Sequence, residues 1–564
     1  GADAIDGGVG ADTLTGGSGA DQYTLVTGDS TSTKSDTITD FAAASDKLNI
    51  TVAGNITWDL TDKGDAASSN AGAALLSAVG TGGEYFFNTA TSSFVQDTDG
   101  NGLIQSGDTV IKLTDETGFD SVDVNFTVSG SLANNVTTGD GADNITMVGD
   151  DTNDATNNNV VVSGKGDDTI TIATAAGITA NDTLTGGAGT DILVTTDTAL
   201  VDADLAAVTG IETLKASGAS SFTLGANSIT SGIATVVTSA AAQTVAFAAA
   251  QTLTIDASIL ANDIDLTLTD ASVGGVVTVT GLFGDIAATL DTAASSLDVA
   301  LVDNTSDSDI LLALGTSVST TTVTGGATGD TVTITSAAAI TIDVSSATNA
   351  SEFIITGGAG AQTILASANG DIITGGAALD VITLGAGVDT IVTTGDASGT
   401  TVDTIASFTG GSDIIQFDKS ELDIAFGALM LAGAADTAVA ATIAAGAGVL
   451  TTVTGAFDAG TVATTTAYVI SGSTAFTEAT LSDALEASGT HAMIANGGWA
   501  IGAEAWLVVY DDNANTYLAT VDAVGGVAND SIATAGEWVV KNIVELTGVA
   551  DATAFTTADF QLIA

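Results

Sequence analysis

The chain has 564 residues, too many for one ordinary core, so several domains or an extended repeat architecture are expected. The chain has 68 acidic residues and eight lysines, and its formal charge of −60 would repel nucleic acid and anionic lipid headgroups. Cysteine is absent, which excludes disulfides and thiolate metal sites. Because 45% of the residues are hydrophobic and proline is absent, the composition predicts a folded, β-rich chain.

The chain opens on a nine-residue repeat. Residues 7–15 read GGVGADTLT and residues 16–24 read GGSGADQYT, after GADAID as the tail of an earlier copy. Glycine permits tight turns and leaves carbonyls uncovered, the aspartate adds a hard oxygen ligand, and a short strand with an inward apolar residue follows. The array closes on DTITDFAAASDKLNI (36–50). Its candidate metal ligands are Asp3, Gly8, Gly10, Asp12, Gly17, Gly19, Asp21 and Asp36.

A β-rich cap is predicted next, over residues 51–130, with a short helix at 72–80. Within it, DTDGNGLIQSGD (97–108) matches the EF-hand loop pattern except at the last acid. The flanking residues resemble strands, so we predict a calcium loop that joins β-strands and not an EF-hand helix pair. The candidate ligands are Asp97, Asp99, Asn101, the carbonyl of Leu103, and Asp108 in place of the usual glutamate.

Looser nonapeptides follow at TGDGADNIT (138–146) and SGKGDDTIT (163–171), and the full pattern returns in GGAGTDILV (186–194). Short β-branched runs then recur through 195–356, which predicts a parallel β-solenoid or stacked β-sandwiches. For single aspartates in that stretch the better interpretation is a turn cap, and Asp330 in GGATGDTVT is intermediate. The candidate ligands in these segments are Asp140, Asp143, Asp168, Asp182, Gly187, Gly189, Asp191 and Asp330.

A second array runs without interruption over 357–392, as GGAGAQTIL, ASANGDIIT, GGAALDVIT and LGAGVDTIV. It closes on DTIASFTGGSDIIQF (403–417), an echo of 36–50, and a second cap with a short helix near 476–488 follows. Gln362 replaces the acid in the first copy. The candidate ligands are Asp371, Asp380, Asp389 and Asp403.

The tandem copies match the pattern G-G-x-G-x-D-x-U-x, and the chain resembles the RTX family of hemolysin-type calcium-binding repeat proteins. The resemblance implies a β-roll in which two nonapeptides make one turn and several Ca²⁺ ions lie between successive loops. The predicted fold class is all-β: RTX parallel β-roll or β-solenoid segments with β-sandwich-like caps and few short helices. The predicted domains are 1–50 (β-roll), 51–130 (cap with the EF-like loop), 131–194 (degenerate repeats), 195–356 (solenoid or sandwiches), 357–418 (second β-roll) and 419–564 (C-terminal cap).

Catalytic motifs are hard to find. The single histidine, His491, cannot form an HExxH site, and no Ser-His-Asp triad or G-x-S-x-G elbow is spelled out. Four tryptophans lie in the caps, where packing is the leading interpretation and carbohydrate stacking the minor one. We therefore expect a protein that is not an enzyme, although a catalytic domain before Gly1 stays open as a third hypothesis.

Two further segments bear on function. Residues 199–217 are similar to segments of large RTX-type surface-layer and adhesin proteins, and residues 552–564 resemble the C-terminal signal of type I secretion substrates. No signal peptide is visible, and the apolar stretch 428–450 contains Asp436, so no transmembrane segment is expected.

The resulting hypothesis is a secreted calcium-dependent structural protein that self-assembles into a surface layer (S-layer) on a Gram-negative-type bacterium. Its partners would be further copies of itself and a cell-surface polysaccharide or lipopolysaccharide. The alternative is an RTX adhesin or extracellular filament whose caps bind a glycan or another partner.

Overall fold

A computed structural model defines the architecture as two compact units, Gly1–Leu260 and Ala261–Ala564, each described separately below. Strands dominate both units, and the described residues contain only two α-helices, both short. The structure describes residues 1–43, 45–53, 57–60, 62–66, 83–98, 105, 108–114, 124–129, 135–148, 159–173, 177–261, 265–270, 276–282, 286–290, 296–301, 309–314, 320–324, 331–334, 339, 341–346, 352–393, 402–418, 428–429, 450–454, 457–458, 467–470, 475–485, 493–494, 504–523, 538–556 and 559–563.

The first unit contains 24 described strands. They are β1 (Ala4–Asp6), β2 (Thr13–Leu14), β3 (Gln22–Val26), β4 (Asp36–Ile38), β5 (Lys47–Ala53), β6 (Thr57–Leu60), β7 (Asp62–Ala66), β8 (Tyr85–Asn88), β9 (Ser93–Gln96), β10 (Thr109–Leu113), β11 (Val124–Ser129), β12 (Asn135–Thr138), β13 (Asn144–Val148), β14 (Val160–Lys165), β15 (Thr169–Ile172), β16 (Thr183–Ala188), β17 (Ile192–Thr195), β18 (Ala199–Leu200), β19 (Val208–Thr209), β20 (Thr213–Ala216), β21 (Ser220–Leu224), β22 (Thr235–Val237), β23 (Gln243–Phe247) and β24 (Thr252–Asp256).

The second unit contains the other 24 described strands. They are β25 (Leu266–Asp270), β26 (Val276–Leu282), β27 (Ile286–Leu290), β28 (Ser296–Leu301), β29 (Asp309–Leu314), β30 (Thr320–Thr324), β31 (Thr331–Ile334), β32 (Thr341–Asp343), β33 (Ile354–Thr356), β34 (Thr363–Leu365), β35 (Ile372–Thr374), β36 (Val381–Thr383), β37 (Thr390–Thr393), β38 (Asp403–Ala406), β39 (Ile414–Asp418), β40 (Ala428–Leu429), β41 (Leu450–Val453), β42 (Phe457–Asp458), β43 (Ala467–Ile470), β44 (Met493–Ile494), β45 (Glu504–Asp511), β46 (Asn515–Ala523), β47 (Trp538–Thr547) and β48 (Phe560–Ile563).

Both units contain parallel coils, in which a strand pairs with the strand two places later in the sequence and not with the next one. In the nonapeptide arrays β1 pairs with β3 and β33 with β35, a spacing of 18 residues that confirms two nonapeptides per turn. Elsewhere one turn is longer, with 25 residues between β13 and β15 and 23 between β15 and β17. The segment predicted at 195–356 pairs in the same way, so solenoid coils and not stacked sandwiches build it.

Apolar side chains point into the coil at every second strand position, as the alternation of a strand requires. All but one of the inward positions predicted for the nonapeptides are buried, and Ile5 is half-buried. The buried positions are Leu14, Tyr23, Leu193, Ile364, Ile373, Ile382 and Ile391.

The described strands of both caps extend the sheets of the coils. In the first cap β5 continues to β11, and the antiparallel strands β8, β9 and β10 join β4 through β10. In the second cap β38 continues to β47, and β48 pairs with β39. Strand addition gives the backbone N–H and C=O groups of the terminal coils hydrogen-bond partners, which an exposed sheet edge would lack.

Helices are short. Helix α1 (Ala226–Ser231) follows β21, and helix α2 (Glu478–Leu485) confirms the helix expected near 476–488. Two 3-10 turns lie at Asp202–Leu205 and Ala552–Ala554. The helix predicted at 72–80 lies outside the described residues. In the part of the chain that the structure describes, no helix has the length and apolarity needed to cross a membrane.

Substitutions at two neighbouring residues of β36 test which side of the strand faces the core. Ile382→Ala removes a side chain with no exposed surface and should lower the free energy of unfolding by about 2–5 kcal/mol. Val381→Ala, at a side chain that is 46% exposed, is the matched control and should change it by about 0.5 kcal/mol or less. Urea unfolding in calcium, followed by circular dichroism, measures both. Equal effects of the two variants would contradict the assigned strand orientation.

Candidate metal centre

Aspartates at or directly before the first residue of a strand form several short series, here together called the aspartate ladder. In each step, a carboxylate oxygen of one residue accepts a hydrogen bond from the main-chain N–H at the equivalent place one coil earlier. In the second array, Asp389 Oδ1 accepts from the N–H of Asp371 at 2.8 Å. The accepting residues are Asp21, Asp36, Asp46, Asp168, Asp182, Asp191, Asp371, Asp380, Asp389, Asp403 and Asp413, and two further members, Asp12 and Asp143, begin their series and contribute the N–H.

One group of ladder aspartates keeps its second oxygen without a hydrogen bond. Their Oδ2 atoms are buried and have no hydrogen-bond partner among the described residues. A buried carboxylate oxygen that no donor satisfies is costly unless a cation neutralises it. Each of these residues follows a loop of the form G-x-G-x-D or G-x-G-D-D. The group is Asp12, Asp21, Asp143, Asp168, Asp191 and Asp389.

A second group satisfies both oxygens from the protein. The Oδ2 atom of Asp371 accepts from the N–H of Ser367 at 2.8 Å, and that of Asp182 from the N–H of Thr179 at 2.8 Å. The same turn recurs at Asp46, with the N–H of Ala42 as donor, and at Asp413, where Thr409 donates. These loops lack the G-x-G-x-D spacing, and their backbone turns an N–H towards the carboxylate.

Glycines shape the loops beside the first group. Gly187 and Gly189 have φ values of 109° and 150°, in the left-handed region that favours glycine. A Cβ atom at either position would overlap the carbonyl oxygen of Gly164 or Gly166 in the preceding coil. In the stacked loops, the carbonyl oxygen of one coil therefore packs directly against a glycine of the next coil, where any side chain would overlap it. Of the other predicted glycines, Gly8, Gly17 and Gly19 also have positive φ, and a Cβ at Gly10 would lie 2.9 Å from Asp12 Oδ2.

The chemistry of these loops fits Ca²⁺. Within the described residues no three acidic or histidine side chains converge on one point, so each ion would take most of its ligands from main-chain carbonyls. Calcium accepts six to eight oxygens from carbonyls and carboxylates in flexible geometry. The Oδ2 atoms of Asp168 and Asp191, with the carbonyls of the loops that precede them, are the groups that would hold it.

Burial shifts the ionisation of the same carboxyls. Desolvation raises the pKa of Asp143 to about 7, and the nearby Asp168 charge raises it further. Desolvation likewise raises the pKa of Asp389 to about 7, with Asp371 and Asp413 adding repulsion. The pKa values of Asp168 and Asp191 are raised for the same first cause. A proton and a cation therefore compete for these sites near neutral pH.

The EF-like loop keeps its two ends inside the described residues. Asp97 and Asp108 are both buried. Asp108 Oδ1 accepts from the N–H of Thr98 at 3.1 Å, and its Oδ2 accepts from the N–H of Gln105, so this carboxylate closes the loop. Asp99, Asn101 and Leu103 lie outside the described residues, and calcium binding here stays a prediction.

The remaining predicted ligands occupy different environments. Asp3 is exposed and contributes its N–H to Asp21 Oδ1. Asp36 is buried and accepts from the N–H of Asp12 at 2.8 Å. Asp140 is exposed and forms an ion pair of 2.6 Å with Lys165, so Asp143 and not Asp140 occupies the ladder. Asp380 accepts from the N–H of Gln362, Asp403 accepts from the N–H of Asp380, and Asp330 lies outside the described residues.

Sequence reasoning missed several residues of the site. Asp46 and Asp413 are ladder members in the two duplicated closing segments, and Glu212 ends the row by accepting from the N–H of Asp191. Asp40 accepts from the N–H groups of Gly16 and Gly17 and so holds that loop. The available signal was the duplication itself, because both segments place a second aspartate directly before a strand.

Short parallel strands joined by glycine-rich acidic loops, with buried carboxylate oxygens left for a cation, define a calcium-binding β-roll. A family model described as the RTX calcium-binding nonapeptide repeat (4 copies) matches residues 1–31, 177–197 and 356–391. Neither a curated protein nor a solved structure matches the chain. The chain therefore carries RTX calcium-binding nonapeptide repeats, and these repeats bind Ca²⁺ at multiple sites. RTX repeats imply a calcium-binding extracellular protein, and proteins that carry them are typically secreted by type I secretion.

Variants at two ladder aspartates of the second array, Asp389 and Asp371, distinguish the loss of an ion from the loss of a hydrogen bond. Asp389→Asn replaces an oxygen that has no donor, so calcium binding at that site should weaken by at least about tenfold. Asp371→Asn, the matched control, leaves one of the N–H groups of Phe353 and Ser367 without an acceptor. It should lower the free energy of unfolding by about 1–3 kcal/mol with and without calcium, and leave the ion count unchanged. Calorimetric calcium titration and urea unfolding measure these effects; loss of an ion in Asp371→Asn alone would refute the assignment.

The stability of the metal-free chain should depend on pH in the direction opposite to ordinary acid denaturation. The folded pKa of Asp143 and of Asp389, about 7, exceeds the value of about 4 in an unfolded chain, so the folded state binds more protons. Their protonation therefore favours folding fully below pH ~4, and this contribution is lost as pH rises through about 7. Urea midpoints in chelator should fall between pH 5 and 8, whereas saturating calcium should remove the fall. A midpoint in chelator that rises over this range would contradict the burial of these carboxyls.

Proposed function

We propose that the chain is a calcium-dependent structural protein that assembles into a bacterial surface layer. The observation that carries the proposal is the distribution of the aspartate ladder through both units. Asp12 to Asp191 lie in the first unit and Asp371 to Asp413 in the second, so the calcium chemistry extends through the framework and is not confined to one reactive centre.

The acidic composition of the chain favours assembly that depends on a divalent cation. With 68 acidic residues against eight lysines, copies of the chain repel one another at low ionic strength. Divalent cations that fold each coil would also neutralise the surface and bridge acidic faces of neighbouring copies. Exposed apolar side chains such as Val9, Val26 and Val388 add contact area once repulsion is reduced.

We further propose that the chain is not an enzyme. Buried carboxylates such as Asp168 and Asp191 are engaged in coil-to-coil hydrogen bonds, which supports a structural use of these groups. The single histidine, His491, lies outside the described residues, as does Trp499, one of the tryptophans considered for glycan stacking.

Electron microscopy of the purified chain tests the assembly. In calcium we expect ordered two-dimensional sheets that disperse on chelation, with circular dichroism showing the loss of strand signal. Magnesium is the matched control, because it demands a stricter octahedral site and should restore neither sheets nor strand signal. Fibres in calcium would favour the adhesin or filament alternative, and dispersed folded particles would contradict self-assembly.

A further inference from the structure

A cavity of about 470 Å³ lies within the second unit, where the closing coils of the array meet the C-terminal cap. One wall belongs to the array: Leu379 comes from the loop GGAALD (375–380), and Val402 directly precedes the ladder residue Asp403. The opposite wall comes from α2, from the hairpin β45–β46, and from β47. Parallel pairing of β38 with β47, which places Thr404 beside Glu545, joins the walls.

Two tyrosines form the aromatic part of the cavity. The rings of Tyr510 and Tyr517 stack with centroids 5.0 Å apart and an interplanar angle of 18°. The Tyr510 hydroxyl donates to Asn542 Oδ1 at 2.7 Å, and the Tyr517 hydroxyl donates to Asp512 Oδ2 at 3.1 Å. Both phenol protons are therefore committed within the protein, and the rings offer a ligand their π surface and edges but no O–H donor.

Three carboxylates complete the lining, and no lysine is among the described lining residues. Glu478 accepts from the N–H of Asn542 at 3.1 Å, and Glu545 accepts from the side-chain amide of Asn515 at 2.9 Å. Burial acts to raise the pKa of Asp512, but the N–H groups of Asn515 and Ala514 outweigh it and hold that pKa below its usual value. The cavity is thus an electronegative space in which the cap wall carries the carboxylates and the tyrosine rings and the array wall carries the aliphatic side chains of Leu379 and Val402.

The spacing of these acids argues against a bare metal ion. Glu478, Asp512 and Glu545 do not form a three-carboxylate metal group, and, unlike the ladder loops, the described lining of this cavity contains no glycine. A cation that fits must be larger than a metal ion, donate several hydrogen bonds, and bring apolar surface for Leu379 and Val402. An ammonium or guanidinium group on an aliphatic chain has all three properties, and such cations are also attracted to tyrosine rings.

We propose that this cavity binds an organic cation, with its charged group among Glu478, Asp512 and Glu545 and its aliphatic part against Leu379 and Val402. A free diamine and a lysine side chain of another polypeptide share this chemistry. Binding also depends on calcium, because Leu379 and Val402 each adjoin a ladder residue, Asp380 and Asp403, and hold their places only when the array is folded.

Calorimetric titration of the calcium-saturated full chain with cadaverine tests the proposal, with pentanediol as the neutral ligand of equal length. We expect saturable binding of cadaverine at one site, no binding of pentanediol, and loss of cadaverine binding after chelation. An acetylated tetrapeptide with one lysine, run in parallel, distinguishes the sources: tighter binding of the peptide indicates a polypeptide partner, and tighter binding of cadaverine indicates a free amine. Equal binding of pentanediol would overturn the proposal in favour of a polyol site.

Helix α2 provides a charge-matched pair of variants. Glu478→Gln removes a lining carboxylate and should weaken cadaverine binding by about tenfold, whereas Asp483→Asn, exposed on the same helix and outside the lining, should change it less than twofold. Equal losses in both variants would show general attraction to an acidic surface and would overturn the proposal. If Glu478→Gln does not fold in calcium, as judged by its circular dichroism strand signal, Glu545→Gln on β47 provides the same test.

Discussion

The hydrogen bond from a main-chain N–H to the carboxylate one coil later is the interaction on which the rest of the structure depends. It fixes the register between coils, because Asp168 can accept from Asp143 only when the strands that follow stack Ile145 on Ile170. It also brings a carboxylate into a buried position, where an ionised group is costly unless both oxygens are satisfied. One oxygen is satisfied by the protein in every rung. The loops are of two kinds, which differ in what satisfies the second carboxylate oxygen.

Loops with the G-x-G spacing leave the second oxygen to a cation, whereas loops such as the one before Asp371 supply an N–H from the residue four places earlier. The two kinds alternate within one array, since Asp371 is followed one coil later by Asp389. Rungs that the protein satisfies alone can keep local register without metal, and the cation-dependent rungs then add stability as calcium rises. Calcium binding and folding are in this way one equilibrium.

Much of this was predictable from sequence because the nonapeptide encodes its own geometry. Glycine at Gly187 and Gly189 signals left-handed torsion, aspartate at Asp191 signals the ligand, and the alternation around Leu193 signals the inward face. The two kinds of rung differ in sequence, since Asp191 follows the G-x-G spacing and Asp182 does not, but the turn that aims the N–H of Thr179 at Asp182 became visible only in the structure. The cavity was also beyond sequence reasoning, since Leu379 and Glu545 are far apart in the chain and meet only through the pairing of β38 with β47.

The same chemistry explains why an acidic chain is suited to the outside of a cell. With the pKa of Asp143 and Asp389 near 7, protons only partly relieve carboxylate repulsion at neutral pH, and the remaining charge must be met by cations. Extracellular calcium modules bind with dissociation constants of about 10⁻⁴ to 10⁻³ M, so comparable loops would stay largely empty at the low calcium levels inside cells and fill outside. Because each filled loop fixes the register for the next coil, folding should propagate along the ladder, and the acidity that opposes the compact state inside becomes the source of its stability outside.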